Sequence, residues 1–157
     1  MSVLDWIAKW ADYSPQKIAV ADLESGEEFS YRDLHFRANE MVHLLQDNYN
    51  EGDRIAVLME HSINLIALFS ACQRLGLILV PLNYKLSAPE ILTQLKDCEP
   101  SLVIYSEFFS SPVSLIKDSF ETITLADFNH QVSKFAGRDL VYTPEINEEL
   151  PVFLFYT

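Results

Sequence analysis

The longest concentration of apolar positions runs from Asp53 to Asn83, DRIAVLMEHSINLIALFSACQRLGLILVPLN, and its pattern divides it into three. Arg54 to Met59 is a short apolar run with β-branched residues, as in a strand. Ser62 stands where a hydroxyl can accept a hydrogen bond from an orphan backbone N–H and cap a helix. Ile63 to Leu75 is apolar on almost every side, clearly interrupted only by Asn64, Ser70, Gln73 and Arg74. A helix of that kind is either buried or spans a membrane, and this one is too short to span, since a bilayer needs roughly 20 apolar residues. Gly76 supplies the left-handed residue that ends a helix. Leu77 to Val80 is a second apolar run, stopped by Pro81. Strand, buried helix and strand in that order form a βαβ unit with parallel strands and a right-handed crossover. The expected fold class is therefore α/β: a mostly parallel sheet built from βαβ units, with flanking helices.

The flanking pattern extends this architecture. Ser2-Val3-Leu4-Asp5 matches a capping box, so a helix is expected to about Tyr13, with Trp6, Ile7 and Trp10 at helical spacing. Lys17 to Asp22 and Glu27 to Phe29 flank the turn Leu23-Glu24-Ser25-Gly26, which predicts a β-hairpin. Ser30-Tyr31-Arg32-Asp33 caps a helix to about Gln46, with Leu34, Ala38, Met41, Val42 and Leu45 on one face and His35 and His43 toward the polar side. Ser87-Ala88-Pro89-Glu90 caps another to about Cys98, with Pro in the first turn, where its missing N–H does no harm. Leu102 to Tyr105 reads as a short strand, Val113 to Asp118 as a helical stretch, Glu121 to Thr124 as a strand, and Thr124-Leu125-Ala126-Asp127 as the cap of a helix to about Phe135. Residues 136–150 are polar and read as an exposed loop, with Glu145, Glu148 and Glu149 near Pro144. Pro151 to Thr157, PVFLFYT, is an apolar run of the buried-strand type. A chain that stops at the end of such a strand, rather than in a polar tail, is expected to be a piece of a longer protein.

Composition narrows the class. At 157 residues the chain is about one domain, and 49% hydrophobic content is enough to bury a core at that size. The formal net charge of -12 argues against a nucleic-acid partner, whose phosphates require clustered Lys and Arg, and disfavours an anionic membrane surface. The two cysteines, Cys72 and Cys98, both fall within predicted helices and form no CxxC pair, so free buried thiols are expected. The N-terminus lacks the basic region and small-residue cleavage site of a signal peptide, and no membrane insertion is expected. These features together predict a cytoplasmic protein.

Candidate chemistry is sparse. The four glycines, Gly26, Gly52, Gly76 and Gly137, are all isolated, so there is no P-loop and no G-x-G-x-x-G. There is no G-x-S-x-G elbow, and His35, His43, His61 and His130 show no metal-ligand spacing. Glu60-His61 is the one suggestive pair, because it follows the Arg54–Met59 strand at its carboxyl end, where open α/β sheets place ligands. An ordinary polar strand-to-helix loop is the alternative reading. The residues alone describe an α/β domain without a recognisable active site.

Three blocks in register resemble the N-terminal part of the adenylate-forming, AMP-binding enzymes: acyl-CoA synthetases, peptide-synthetase adenylation domains and luciferases. Phe29-Ser30-Tyr31-Arg32-Asp33-Leu34 is similar to the family's early (hydrophobic)-T/S-Y-x-E/D-L block. Arg54 to Asn83, continuing into Tyr84-Lys85-Leu86, is similar to its R-V-A … V-P-L-N-x-R/K-L region, and the V-P-L-N-Y-K-L form resembles acyl-CoA synthetases most. Pro151 to Thr157 resembles the strand that leads into the Y-T-S-G-T-T-G phosphate loop. His61 stands where the family often has Asn, and Leu77 where Ala is common. The resemblance implies that residues 1–157 form a single N-terminal α/β subdomain. It also implies a parent enzyme using ATP, Mg²⁺ and CoA on a small-molecule carboxylic acid, through an acyl-adenylate. Thr157 matches the first Thr of the loop and is the one implied ATP-binding residue; a plain strand-end residue is its other reading. No catalytic or metal-binding residue is expected in this piece. It is expected to bind none of these cofactors and to be inactive alone. Two alternatives remain: part of an amino-acid or aryl-acid adenylation domain, or a stand-alone interaction module. In the module the Val152–Tyr156 strand would be shielded by a partner or by homodimerisation.

Overall fold

The computed structural model of the chain describes residues 5–60, 62–114, 116–139, 146–147 and 149–157. Helix α1 (Trp6–Tyr13) is followed by the antiparallel hairpin β1 (Ile18–Ala21) and β2 (Glu28–Ser30) and by α2 (Tyr31–Leu45). Then come β3 (Arg54–Leu58), α3 (Ile63–Leu75), β4 (Ile78–Pro81), α4 (Ala88–Cys98) and β5 (Leu102–Tyr105). A 3₁₀ turn (Glu107–Phe109) runs into the short α5 (Ser110–Ser114), and β6 (Thr122–Thr124) and α6 (Leu125–Ser133) complete the elements.

The four strands β4-β3-β5-β6 form one sheet in that order, and every pair is parallel. The expected β3–α3–β4 unit is present, with Ile55 opposite Leu79 and Ala56 opposite Val80. Because side chains alternate across a strand, the sheet sorts its apolar residues into two cores. Ile55, Val57, Leu79, Leu102 and Ile104 face α2, α3 and α6. Ala56, Leu58, Val80, Val103 and Tyr105 face α4 and α5. Helices on both faces explain why β3 and β5 read as continuous apolar runs rather than alternating ones.

Local chemistry sets most element ends. Ser30 and Asp33 form a reciprocal capping box: Asp33 N–H donates to Ser30 Oγ at 3.2 Å, and Ser30 N–H to Asp33 Oδ2 at 3.0 Å. Ser87 N–H donates to Glu90 Oε2 at 2.8 Å, and Asp127 N–H to Thr124 Oγ1 at 3.0 Å. Gly76 adopts φ 67° after α3, and a Cβ there would approach Glu51 Cγ to 2.8 Å. Cys72 and Cys98 are free and buried, as expected.

Several expectations need correction. The cap of α1 is Asp5, whose Oδ1 accepts from Ala8 N–H at 2.9 Å; Ser2 lies outside the described residues. A carboxylate three residues before an unpaired N–H serves as well as a hydroxyl. Ser62 is the N-cap of α3 but makes no side-chain capping bond. The helix expected around Val113–Asp118 is instead the earlier turn Ser110–Ser114. Pro151–Thr157 is not a buried strand: it carries a single bridge, Leu79 to Phe153, and its residues alternate between exposed and half-buried. Of the loop at 136–150, residues 140–145 and 148, with Glu145 and Glu148, lie outside the described residues.

Candidate functional site

Chain connections determine where this sheet can hold a ligand. From β3 the chain passes through α3 to β4 on one side; from β5 it passes through α5 to β6 on the other. The carboxyl ends of β3 and β5 therefore flank a topological switch point, where outgoing connections part and leave a crevice. Pairing holds up to its floor, because Ser106 N–H donates to Leu58 O at 3.1 Å. Glu60 and Glu107 are exposed at the rim, Met59 is buried beneath, and Phe108 is 86% exposed beside it.

The loop from β3 to α3 contributes the remaining polar group. Ser62 Oγ is buried and has no hydrogen-bond partner. In the first turn of α3, Asn64 Oδ1 accepts from Arg37 Nη2 at 3.3 Å, and the same Nη2 donates to Asn129 Oδ1 at 2.7 Å. Arg37 Nη1 also meets Glu40 Oε2 at 3.1 Å. One side chain on α2 thus ties the start of α3 to α6. In the sequence Asn64 is only a polar interruption of an apolar helix; its donor Arg37 is 27 positions away, and Arg37's other acceptor, Asn129, is 92 positions from Arg37, beyond any local pattern.

The stretch after β4 and the terminal segment reach the same edge. Leu82 N–H donates to Val57 O at 2.9 Å, continuing the ladder past β4. Asn83 Oδ1 then accepts from Lys85 N–H at 3.0 Å and closes a turn. That turn sets Tyr84 6.0 Å from Phe109, centroid to centroid. Beside β4, Leu79 N–H donates to Val152 O at 2.9 Å and Leu154 N–H donates to Leu79 O at 3.0 Å, so the terminal segment runs parallel to the sheet. Phe153 stacks on Phe69 of α3 at 4.7 Å, and Phe155 on Phe153 at 5.0 Å. On the other face, Tyr156 Oη donates to Asp97 Oδ2 at 2.7 Å, and Gln94 O lies 3.2 Å away. Desolvation, with the Asp97 carboxylate, pushes the Tyr156 phenol above its ordinary value. Parallel direction carries Thr157, which is exposed, to the carboxyl-terminal side of the sheet.

The topology therefore places Glu60, Ser62, Ser106, the Asn83–Leu86 turn and Thr157 at the carboxyl-terminal edge of the sheet. His61 lies outside the described residues. The other histidines are dispersed: His35 sits against Arg74, His43 stacks on Phe135 at 5.8 Å, and His130 lines a groove. Among the described residues no group of three His, Cys, Asp or Glu side chains gathers to hold a metal ion. That groove, about 660 Å³, follows β6 between Tyr49, Thr124, Asp127, His130 and Lys134, on the β6 side of β5. It is open and mixed in charge, so the placement rule for parallel sheets favours the crevice over this groove. Among the described residues no helix is long and apolar enough to cross a membrane.

Known proteins share this arrangement. The sequence matches the AMP-binding enzyme family over residues 7–157. A 2-succinylbenzoate–CoA ligase of Oceanobacillus iheyensis is 35% identical over 107 residues, 68% of this chain and 22% of that protein. An indoleacetate–CoA ligase of Aromatoleum aromaticum is 25% identical over 167 residues, all of this chain and 32% of that protein. The crystal structure of the N-terminal domain of FACL13 from Mycobacterium tuberculosis superposes with a TM-score of 0.89 at 25% identity, covering all of this chain and 42% of that one. The chain thus spans 22% to 32% of these two relatives' length.

Proposed function

The chain belongs to the AMP-binding enzyme family, and from that premise we propose that it is the N-terminal part of an acyl-CoA ligase. Such an enzyme joins a small-molecule carboxylic acid to ATP as an acyl-adenylate and then passes the acyl group to the thiol of CoA. The observation that carries this reading is the path of Pro151–Thr157. Its parallel course beside β4 and the Tyr156–Asp97 bond support this reading, because a chain running in that direction ends on the side of the sheet where the β3/β5 crevice opens.

The residues present fit the margin of an ATP site and not the whole of it. A phosphate cradle needs several converging backbone N–H groups, and the isolated glycines of this chain form none. Thr157 supplies one hydroxyl, while the sheet and the Arg37–Asn64–Asn129 contacts fix the floor against which the phosphates would lie. Mg²⁺, when bound, offsets the charge that develops on the phosphates. The residues that hold it belong to the rest of the enzyme. On this reading the 157 residues have no ligase activity by themselves. The free, buried Cys72 and Cys98 support a reducing, cytoplasmic setting.

Two measurements test the proposal. Read past Thr157, the coding sequence should continue into a Ser/Gly/Thr-rich loop; a stop codon there turns the reading toward an interaction module. Pyrophosphate exchange into ATP by the 157-residue chain, with aryl or fatty acids, should stay at background, and clear exchange overturns the claim of inactivity. The choice between those acids follows from relatives of both kinds, the two aromatic-acid ligases above and a long-chain-fatty-acid–CoA ligase of Mycobacterium tuberculosis at 31% identity.

A further inference from the structure

The sheet has two open edges, and they are guarded differently. On one side β6 is only Thr122–Thr124, all half-buried, with Lys117 and Glu121 exposed just before it. Short edge strands and charged neighbours are how folded proteins keep an edge from pairing with another chain. On the other side lies the terminal segment, beyond β4. Its stretch Val152–Tyr156, VFLFY, contains no charge and no proline.

Hydrogen bonding shows which backbone groups of that stretch are in use. Val152 O accepts from Leu79 N–H, and Leu154 N–H donates to Leu79 O. Successive residues of a strand turn their backbone groups to opposite edges. Val152 and Leu154 therefore face β4, and Phe153 and Phe155 face outward. Among the described residues the N–H and C=O groups of Phe153 and Phe155 have no partner. Their side chains form a stack with Phe69 of α3 that is covered on one side only: Phe153 is 38% and Phe155 63% exposed.

We propose that a second copy of this chain occupies this edge, and that the 157 residues form a twofold dimer by antiparallel pairing of Val152–Tyr156. The edge is complementary to itself. A twofold axis through Leu154, perpendicular to the sheet, sets Phe153 opposite the partner's Phe155. Both residues of such a pair aim their N–H and C=O across the gap, so each pair exchanges both of its hydrogen bonds. Paired side chains lie on one face, so the Phe153 and Phe155 rings of both copies meet as cross-strand aromatic pairs, a favourable kind. No charge in the paired stretch meets its own copy, which matters in a chain of formal net charge -12. A contact of this isologous kind closes as a dimer, and the guarded β6 edge is left at either end. The dimer does not depend on the ligase reading, which has its own tests above.

Sedimentation velocity of the 157-residue chain between about 1 and about 500 µM tests this. Monomer should give way to dimer with a Kd of about 10–100 µM, as suits a small interface. Over the same range the Phe153 and Phe155 amides should gain protection from hydrogen exchange, and the Thr122 amide on the opposite edge should not. Phe153→Pro removes one outward N–H and leaves the bonds to Leu79 in place. Phe155→Lys removes a paired ring and brings like charges to the axis. Each should weaken the dimer by about tenfold or more. Both positions are exposed, and unchanged exchange at Ile55–Leu58 shows that the fold is kept. Three results overturn the proposal: a monomer at every concentration, a dimer of undiminished strength in both variants, or oligomers that go on growing past the pair.

Discussion

Strand β5 and the terminal segment Pro151–Thr157 are both apolar and both run parallel to their sheet neighbour, yet their surroundings differ on every side. β5 is paired along both edges, to β3 and to β6, and all four of its residues are buried. The terminal segment is bonded along one edge through Leu79, and its residues alternate, with Phe155 63% exposed. The difference shows how much of an apolar run's energy depends on its neighbours. In β5, each side chain meets helices on its own face of the sheet. In the terminal segment, Leu154 and Tyr156 pack against the α4 side, while Phe153 stacks on Phe69 and Phe155 on Phe153.

The largest expected effect is at the centre. Ile104→Ala in β5, where no surface is exposed, should cost about 2–5 kcal/mol in urea unfolding, from lost transfer energy and a cavity. Phe155→Ala removes a larger side chain and should cost only about 0.5 kcal/mol. Comparable losses for the two would break the comparison.

Two backbone substitutions come next. Leu154→Pro removes the N–H that donates to Leu79 O and should detach the segment. Phe153→Pro removes an N–H on the unpaired edge and should leave the ladder bonds in place. Thiol labelling reads the outcome. Cys98 packs in the same core as Leu154 and Tyr156, whereas Cys72 lies on the buried face of α3 in the other, where burial pushes its thiol up to about 12. Neither thiol should react in the native chain near neutral pH. Leu154→Pro should expose Cys98 and leave Cys72 protected, and equal labelling of both would mean that the segment is part of the central core.

Smaller again is Tyr156→Phe, which deletes the hydrogen bond to Asp97. A bond to a charged acceptor contributes about 1.5–3 kcal/mol, and partial exposure should bring this one to about 1 kcal/mol or less. Protection of the Leu154 amide should fall, while β3 and β5 amides remain unchanged.

Much of the fold could be read locally. Ser30–Asp33, Ser87–Glu90 and Thr124–Asp127 cap their helices as the spacing implied, because a cap is an interaction within one turn. Gly76 ends α3 for the same kind of reason, as a backbone φ that side chains resist. Ser62 shows where such reasoning fails. Its type and place suit a cap, but its hydroxyl is buried without a partner, and the start of α3 is bonded instead through Asn64 to Arg37 of another helix. The candidate site was legible only as an edge of the sheet; Tyr156–Asp97 and Arg37–Asn129 join residues 59 and 92 positions apart.

By itself, the sequence determined the α/β class, the βαβ unit, the caps and the family blocks. Each is written either in local hydrogen bonding or in the period of apolar side chains, which the backbone geometry fixes. Tertiary structure alone decided the strand order that opens a crevice between β3 and β5, the one-sided seating of the terminal segment, and the meeting of Asp5, His35 and Arg74. Those depend on which surfaces bury one another, and burial is a property of pairs of elements rather than of any single stretch.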